Sequence, residues 1–220
     1  MIKKQVNSEV YDFSNYCNIG RWNSYWHQLD EVSGLKKGSE ILLIGAGDGI
    51  VPMILRKMNY NVTVFDFDED LLPDIVGDVK HITDTIRNSA YDAIICCQVL
   101  EHIPGEYFDS IMQQFSTLLH KDGRLILSLP QSFAPFRCLI NIPKVHILIN
   151  KTIPLFRNKI FEFDGEHYWQ VDTKGYRKKD MIKRISKNFC IIRTYTIFEL
   201  QYHWFIIAEP IKNKRKELEK

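Results

Sequence analysis

The chain has 220 residues, 25% charged and 45% apolar, and its basic residues outnumber its acidic ones by only two, 29 against 27. That usage excludes collagenous, disordered and coiled-coil chains, and the near balance of charge leaves no electrostatic footprint for nucleic acid or anionic lipid. The length suits one domain with an elaboration. Five cysteines, including the neighbours Cys96 and Cys97 in an apolar run, are too few for a disulfide scaffold and read as reduced core thiols.

In chain order, residues 1–38 open with lysines that no apolar stretch follows, so no secretory leader is expected. Trp22, Tyr25, Trp26 and Leu29 then fall at helical spacing and predict a helix packed on the core. Residues 39–130 alternate short apolar runs with amphipathic stretches. The runs Ile41 to Ile44, Val62 to Phe65, Ala93 to Cys97 and Arg124 to Ser128 are bounded by Gly, Asp or Pro, as strands buried on both faces are. Phe108, Ile111, Met112, Phe115, Leu118 and Leu119 make a helical stripe between the last two. This rhythm predicts an α/β fold with a mostly parallel, doubly wound sheet and ligands at the carboxyl ends of its strands.

Residues 131–173 mix aromatics, prolines and basic residues without a clean period and read as an insertion on the acceptor side. Its most apolar part, 139–156, is interrupted by Pro143, Lys144, His146, Lys151 and Pro154, too often for a membrane span. Within 174–210, Lys179 to Ser186 reads as a helix, and Ile191 to Ile197 and Tyr202 to Ala208 as two closing strands. The basic tail, 211–220, reads as a solvated end. A single cytoplasmic domain without stable membrane insertion is expected.

The chemistry centres on Ile41-Leu-Leu-Ile-Gly45-Ala46-Gly47-Asp48-Gly49, a strand entering a glycine turn that opens an apolar helix. Asp66 ends the next strand, where this architecture hydrogen-bonds ribose hydroxyls. A dinucleotide fingerprint would need glycine at Ile50, and Asp48 would repel a pyrophosphate at the helix N-terminus, so NAD is disfavoured. A nucleoside with a cationic sulfonium and no phosphate suits the same residues.

These residues resemble the class I S-adenosylmethionine-dependent methyltransferases, in the small-molecule group with a Leu-Glu-His motif. The resemblance runs through Gly45 to Gly49, Phe65-Asp66-Phe-Asp68, Val76-Gly77-Asp78-Val79, Tyr91 to Pro104 with Leu100-Glu101-His102, and Asp122 to Pro130. It implies a Rossmann-like methyltransferase fold with a final antiparallel strand and S-adenosylmethionine as cofactor. Gly45, Ala46 and Gly47 would line its methionine and ribose, and Asp66 would bind both ribose hydroxyls. Phe67 would pack on the adenine, Asp78 would accept from the adenine amine beside the Val79 amide, and Cys97 and Gln98 would lie along the cofactor. Asp78 is equally suited to cap the following turn. One departure stands out: many relatives carry an acid two positions before the first glycine, where this chain has Leu43.

Methyl transfer from a sulfonium is an in-line displacement, accelerated by alignment, and only a hydroxyl acceptor needs a base. His102 and His167 are the candidates. Ubiquinone-pathway O-methyltransferases resemble the chain here but show Glu-x-x-Glu-His, spaced for a divalent ion; Gln98-Val-Leu-Glu101-His102 lacks one carboxylate, and no metal is expected. The partner is then a small-molecule acceptor and not nucleic acid. A sugar or surface-glycan precursor is suggested by Tyr25, His27, His167, Tyr168, Trp169 and Tyr202, which could stack on polyols. The alternatives are a lipid or quinone acceptor, prompted by the phenylalanine-rich insertion, and a non-catalytic cofactor-binding protein.

Overall fold

Apolar residues at successive positions of each predicted strand need cover on both sides, and the fold supplies it. The structure, a computed structural model, describes residues 8–11, 16–87, 90–132, 136–145, 147–153, 160–197 and 200–211. Phe133, Phe156 and all but the first residue of the basic tail lie outside the described residues. The strands are β1 (Glu40–Ile44), β2 (Asn61–Asp66), β3 (Ile75–Val76), β4 (Tyr91–Cys97), β5 (Leu119–Pro130), β6 (Phe136–Ile142), β7 (Ile147–Ile153), β8 (Phe189–Thr196) and β9 (His203–Pro210). The longer helices are α1 (Ile19–Val32), α2 (Ile50–Lys57), α3 (Phe108–Leu118) and α4 (Lys178–Ile185).

Seven strands form one sheet in the order β3-β2-β1-β4-β5-β9-β8. All pairs from β3 to β5 are parallel, whereas β9 runs antiparallel to both β5 and β8. The chain winds outward from β1 to β3 and returns to β4 on the other side of β1, which places the switch point, and the crevice it creates, between β1 and β4. Alternation within β1 divides the core. Leu42 and Ile44 pack with Phe108, Phe115, Trp169 and Met181 on one face, while Ile41 and Leu43 pack with Tyr25, Leu29, Val51 and Leu55 on the other.

Three expectations change. Of the four α1 residues assigned to core packing, Tyr25 and Leu29 are buried, but Trp22 and Trp26 are 45% and 62% exposed, because they fall on the outer face of the helix. The fifth strand begins at Leu119, which pairs with Tyr91 before a register shift, and so starts well ahead of Arg124. The insertion is not aperiodic: β6 and β7 pair as an antiparallel hairpin in a sheet of their own. Cys96 is buried, and Cys17, Cys96, Cys97 and Cys190 are free thiols.

The part of the insertion that follows the hairpin is fastened to the core. The Tyr168 amide donates to the Glu101 carbonyl and the Val171 amide to the Pro130 carbonyl. Trp169 is fully buried, stacks on Tyr176 and donates through Nε1 to the Ile103 carbonyl at 2.9 Å.

Candidate active site

A cavity of about 930 Å3 opens at the carboxyl ends of β1, β2 and β4. The first turn that lines it depends on glycine. Gly45 has φ 89°, and a Cβ there would lie 2.6 Å from Val99 Cγ2, so both conformation and the close approach of the loop after β4 exclude a side chain. Beside it, Asp66 is 8% exposed and accepts from the Ala46 amide at 2.6 Å and the Asp68 amide at 2.9 Å. A carboxylate has about four acceptor positions, so these amides do not exhaust its capacity to accept from a hydroxyl. Burial raises the Asp66 pKa above the usual carboxylate value while the Asp68 and Ala46 amides oppose the rise.

The remaining predicted cofactor residues also line this cavity: Ala46, Gly47, Phe67, Asp78, Val79, Cys97 and Gln98. Phe67 is exposed and available for stacking, whereas Val79 is buried. Asp78 does cap the next turn, accepting from the Lys80 amide at 3.0 Å, and it pairs with Lys80 Nζ at 3.1 Å. Capping and facing the cavity are therefore compatible in the same side chain. Gln98 has φ 57°, rare for a residue with a Cβ, and donates through Nε2 to Ser128 Oγ at 3.1 Å. Burial pushes the Cys97 thiol up to about 12, so it is not a thiolate.

The two predicted histidines meet, their ring centroids 4.7 Å apart. His102 lines the cavity, but His167 does not. His102 Nδ1 lies 3.1 Å from the Glu166 carbonyl; since a carbonyl only accepts, the neutral ring carries its proton on Nδ1 and its lone pair on Nε2. Burial, aided by His167, pulls His102 down to about 4, and burial also lowers His167. His167 Nδ1 is 3.3 Å from the Tyr202 hydroxyl.

Glu101 lies beside both rings with 0% exposure, and neither carboxyl oxygen has a hydrogen-bond partner among the described residues. Burial pushes it up to about 8, so near neutral pH it is mostly protonated. Ligand atoms of Glu101, His102 and His167 lie within 4.8 Å of one another, the only such grouping compact enough for one metal ion among the described residues. The loss of a carboxylate at Gln98 is thus partly offset by a histidine from the insertion, which spacing along the chain did not reveal.

Other contributors went unforeseen. Arg21, Ser24 and Gln28 project into the cavity from the face of α1 that also carries the foreseen Tyr25. Ser24 Oγ is 2.8 Å from Nδ1 of the cavity-lining His203, whose pKa burial lowers to about 3. Tyr25 donates to Asp48 at 2.6 Å. Of the six side chains proposed to stack on a polyol, Tyr25 and Tyr168 line the cavity, whereas His27, His167, Trp169 and Tyr202 do not.

Comparisons with known proteins agree with this geometry. A methyltransferase-domain family model matches residues 20–172. The chain is 30% identical over 139 residues, 54% of its length and 56% of the relative's, to the ubiquinone biosynthesis O-methyltransferase of Glaesserella parasuis. It is 24% identical over 113 residues, covering 46% and 47% of the two chains, to the protein of the same name from Shewanella halifaxensis. The chain thus spans about half the length of the curated relatives it matches. Among solved structures, N-methyltransferase NodS from Bradyrhizobium japonicum in complex with S-adenosylhomocysteine superposes with a TM-score of 0.60 at 10% identity, over 94% of this chain and 95% of that one. No helix among the described residues is long and apolar enough to cross a membrane. With a methyltransferase-domain model matching most of its length, a glycine turn after β1 and a seven-stranded sheet whose last strand runs antiparallel, the chain belongs to the S-adenosylmethionine-dependent class I methyltransferases.

Proposed function

We propose that the chain transfers a methyl group from S-adenosylmethionine to a hydroxyl of an aromatic small molecule, with His102 as proton acceptor. In this reading Gly45, Ala46 and Gly47 flank the methionine and ribose, Asp66 accepts from the ribose hydroxyls, and Phe67, Asp78 and Val79 hold the adenine. Cys97 and Gln98 border the transferring methyl at the end of β4. As the acceptor oxygen bonds to the methyl carbon, the carbon–sulfur bond breaks to give a neutral thioether, and the hydroxyl proton passes to His102 Nε2.

The observation that carries the reading is His102 on the cavity wall with Nδ1 turned to the Glu166 carbonyl. An imidazole held near 4 is a weak base by itself. Ionised Glu101, close to the ring, would raise its affinity for the proton and stabilise the imidazolium that forms. His167 packs behind His102 and supports the ring. Ile103, Pro104, Tyr107, Phe163 and Tyr168 line the same cavity and suit a flat aromatic acceptor better than a polyol. The relatives named for ubiquinone O-methylation favour the same class.

The test presents catechols, simple sugars, nucleotide sugars, amines and lipids in parallel with S-adenosylmethionine and follows the gain of one methyl group by mass spectrometry. Methylated catechol is the expected product. Methyl transfer only to sugars would overturn the aromatic assignment, and no turnover with any acceptor class, amines and lipids included, would favour a binding protein.

A further inference from the structure

The methionine end of the cofactor is a zwitterion, and both its charges need partners in a partly dry cavity. The acid that many relatives place two residues before the glycine turn is absent: Leu43 is 3% exposed and belongs to the core. We infer that Arg21 and Asp48 hold the two charges, Arg21 receiving the methionine carboxylate and Asp48 taking the ammonium in place of the missing acid. The inference rests on the cofactor placement above. With adenine toward β3 and ribose on Asp66 at the end of β2, the rest of the molecule crosses β1 toward β4, where α1 meets the glycine turn.

Three features support this division. The first is that α1 is pinned there, since Tyr25 donates to Asp48 Oδ2 at 2.6 Å and Arg21 lies one turn earlier on the same helix face. Arg21 is also held ready: Nη1 donates to the Tyr16 hydroxyl at 2.6 Å and the guanidinium carbon sits 3.7 Å from the Tyr16 ring centroid. Its Nε is buried with no hydrogen-bond partner among the described residues, an unmet donor that a carboxylate would satisfy. Lastly, the two charges share a neighbourhood without pairing. The Tyr16 and Tyr25 hydroxyls both feel Arg21 and Asp48, yet Arg21 and Asp48 form no ion pair with each other. Asp48 uses one oxygen on the Ile50 amide at 3.2 Å and the other on Tyr25, which leaves acceptor positions for an ammonium. Unlike charges that face one cavity unpaired match a zwitterion.

Calorimetry with two probes isolates this end of the molecule. S-adenosylhomocysteine carries the amino acid, and 5′-methylthioadenosine keeps the adenosine and thioether without it. Arg21→Ala should weaken S-adenosylhomocysteine by about 10- to 100-fold and leave 5′-methylthioadenosine unchanged. Arg21→Lys, which keeps charge but not the forked geometry, should fall between, and Asp48→Asn should show the same selectivity. Unfolding midpoints identify any variant that fails to fold, and Arg21→Lys then carries the test alone. Equal losses for both probes, or no loss for S-adenosylhomocysteine, would overturn the assignment. Failure of the unmodified protein to bind either probe would instead overturn the cofactor placement beneath it.

Discussion

The cofactor side and the acceptor side of one cavity are built differently. On the proposed cofactor side, Gly45 and Gln98 directly follow β1 and β4 and Asp66 is the last residue of β2, so a few contiguous residues fix each position. On the proposed acceptor side the walls come from the segment 102–107 after β4, the loop at 163–168 and the start of β9, which only the fold brings together. The first kind of site is specified by backbone geometry and can be read locally; the second exists only after packing. The same contrast separates the two histidines: His102 follows β4 directly and lines the cavity, while His167 reaches His102 from the insertion.

Changes on the acceptor side should remove turnover and spare cofactor binding. His102→Ala is expected to lower turnover by about 10²- to 10⁴-fold with unchanged affinity for S-adenosylhomocysteine; His167→Ala should cost less. Turnover should survive chelators, and its complete loss with recovery on adding magnesium would instead make Glu101, His102 and His167 a metal centre. The pH dependence sharpens this assignment. His102 must be unprotonated, which its value of about 4 allows well below neutrality, and Glu101 must lose its proton, which requires a rise through about 8. Turnover should therefore increase with pH up to that upper step, and Glu101→Gln should abolish the step and lower the maximum.

Stability should divide along a different line. Trp169 is fully buried between Phe108 and Tyr176, and Trp169→Ala should cost about 3–5 kcal/mol in urea unfolding. Trp22→Ala and Trp26→Ala, on the outer face of α1, should each stay within about 0.5 kcal/mol. A large loss at either exposed tryptophan would show that α1 packs otherwise than described.

The sheet and the gathering of Gly45, Asp66, Asp78 and Gln98 around one cavity were legible because strands covered on both faces read as apolar runs, and because glycine and aspartate at strand ends have backbone consequences. The hairpin was not. Its strands are joined by Pro143–Val145, without the Asn-Gly or Asp-Gly turn that marks a tight hairpin. The inner face of α1 was hidden by its neighbours: the tryptophans drew the helix toward a packing role, although Arg21, Ser24, Tyr25 and Gln28 already shared a polar stripe at i, i+3, i+4 and i+7. Trp169, read as a ring that could stack on a polyol, is a core residue because the insertion returns to pair just after β5, at Gln131.

The central claim is that the glycine-turn side of the cavity holds S-adenosylmethionine with its ribose on Asp66. Isothermal titration of S-adenosylhomocysteine into the unmodified chain and into Asp66→Ala tests it directly, with circular dichroism confirming that both are folded. Losing two charge-assisted hydrogen bonds, each about 1.5–3 kcal/mol, should weaken binding by about 10²- to 10⁴-fold. Equal affinities for the two proteins would contradict the claim.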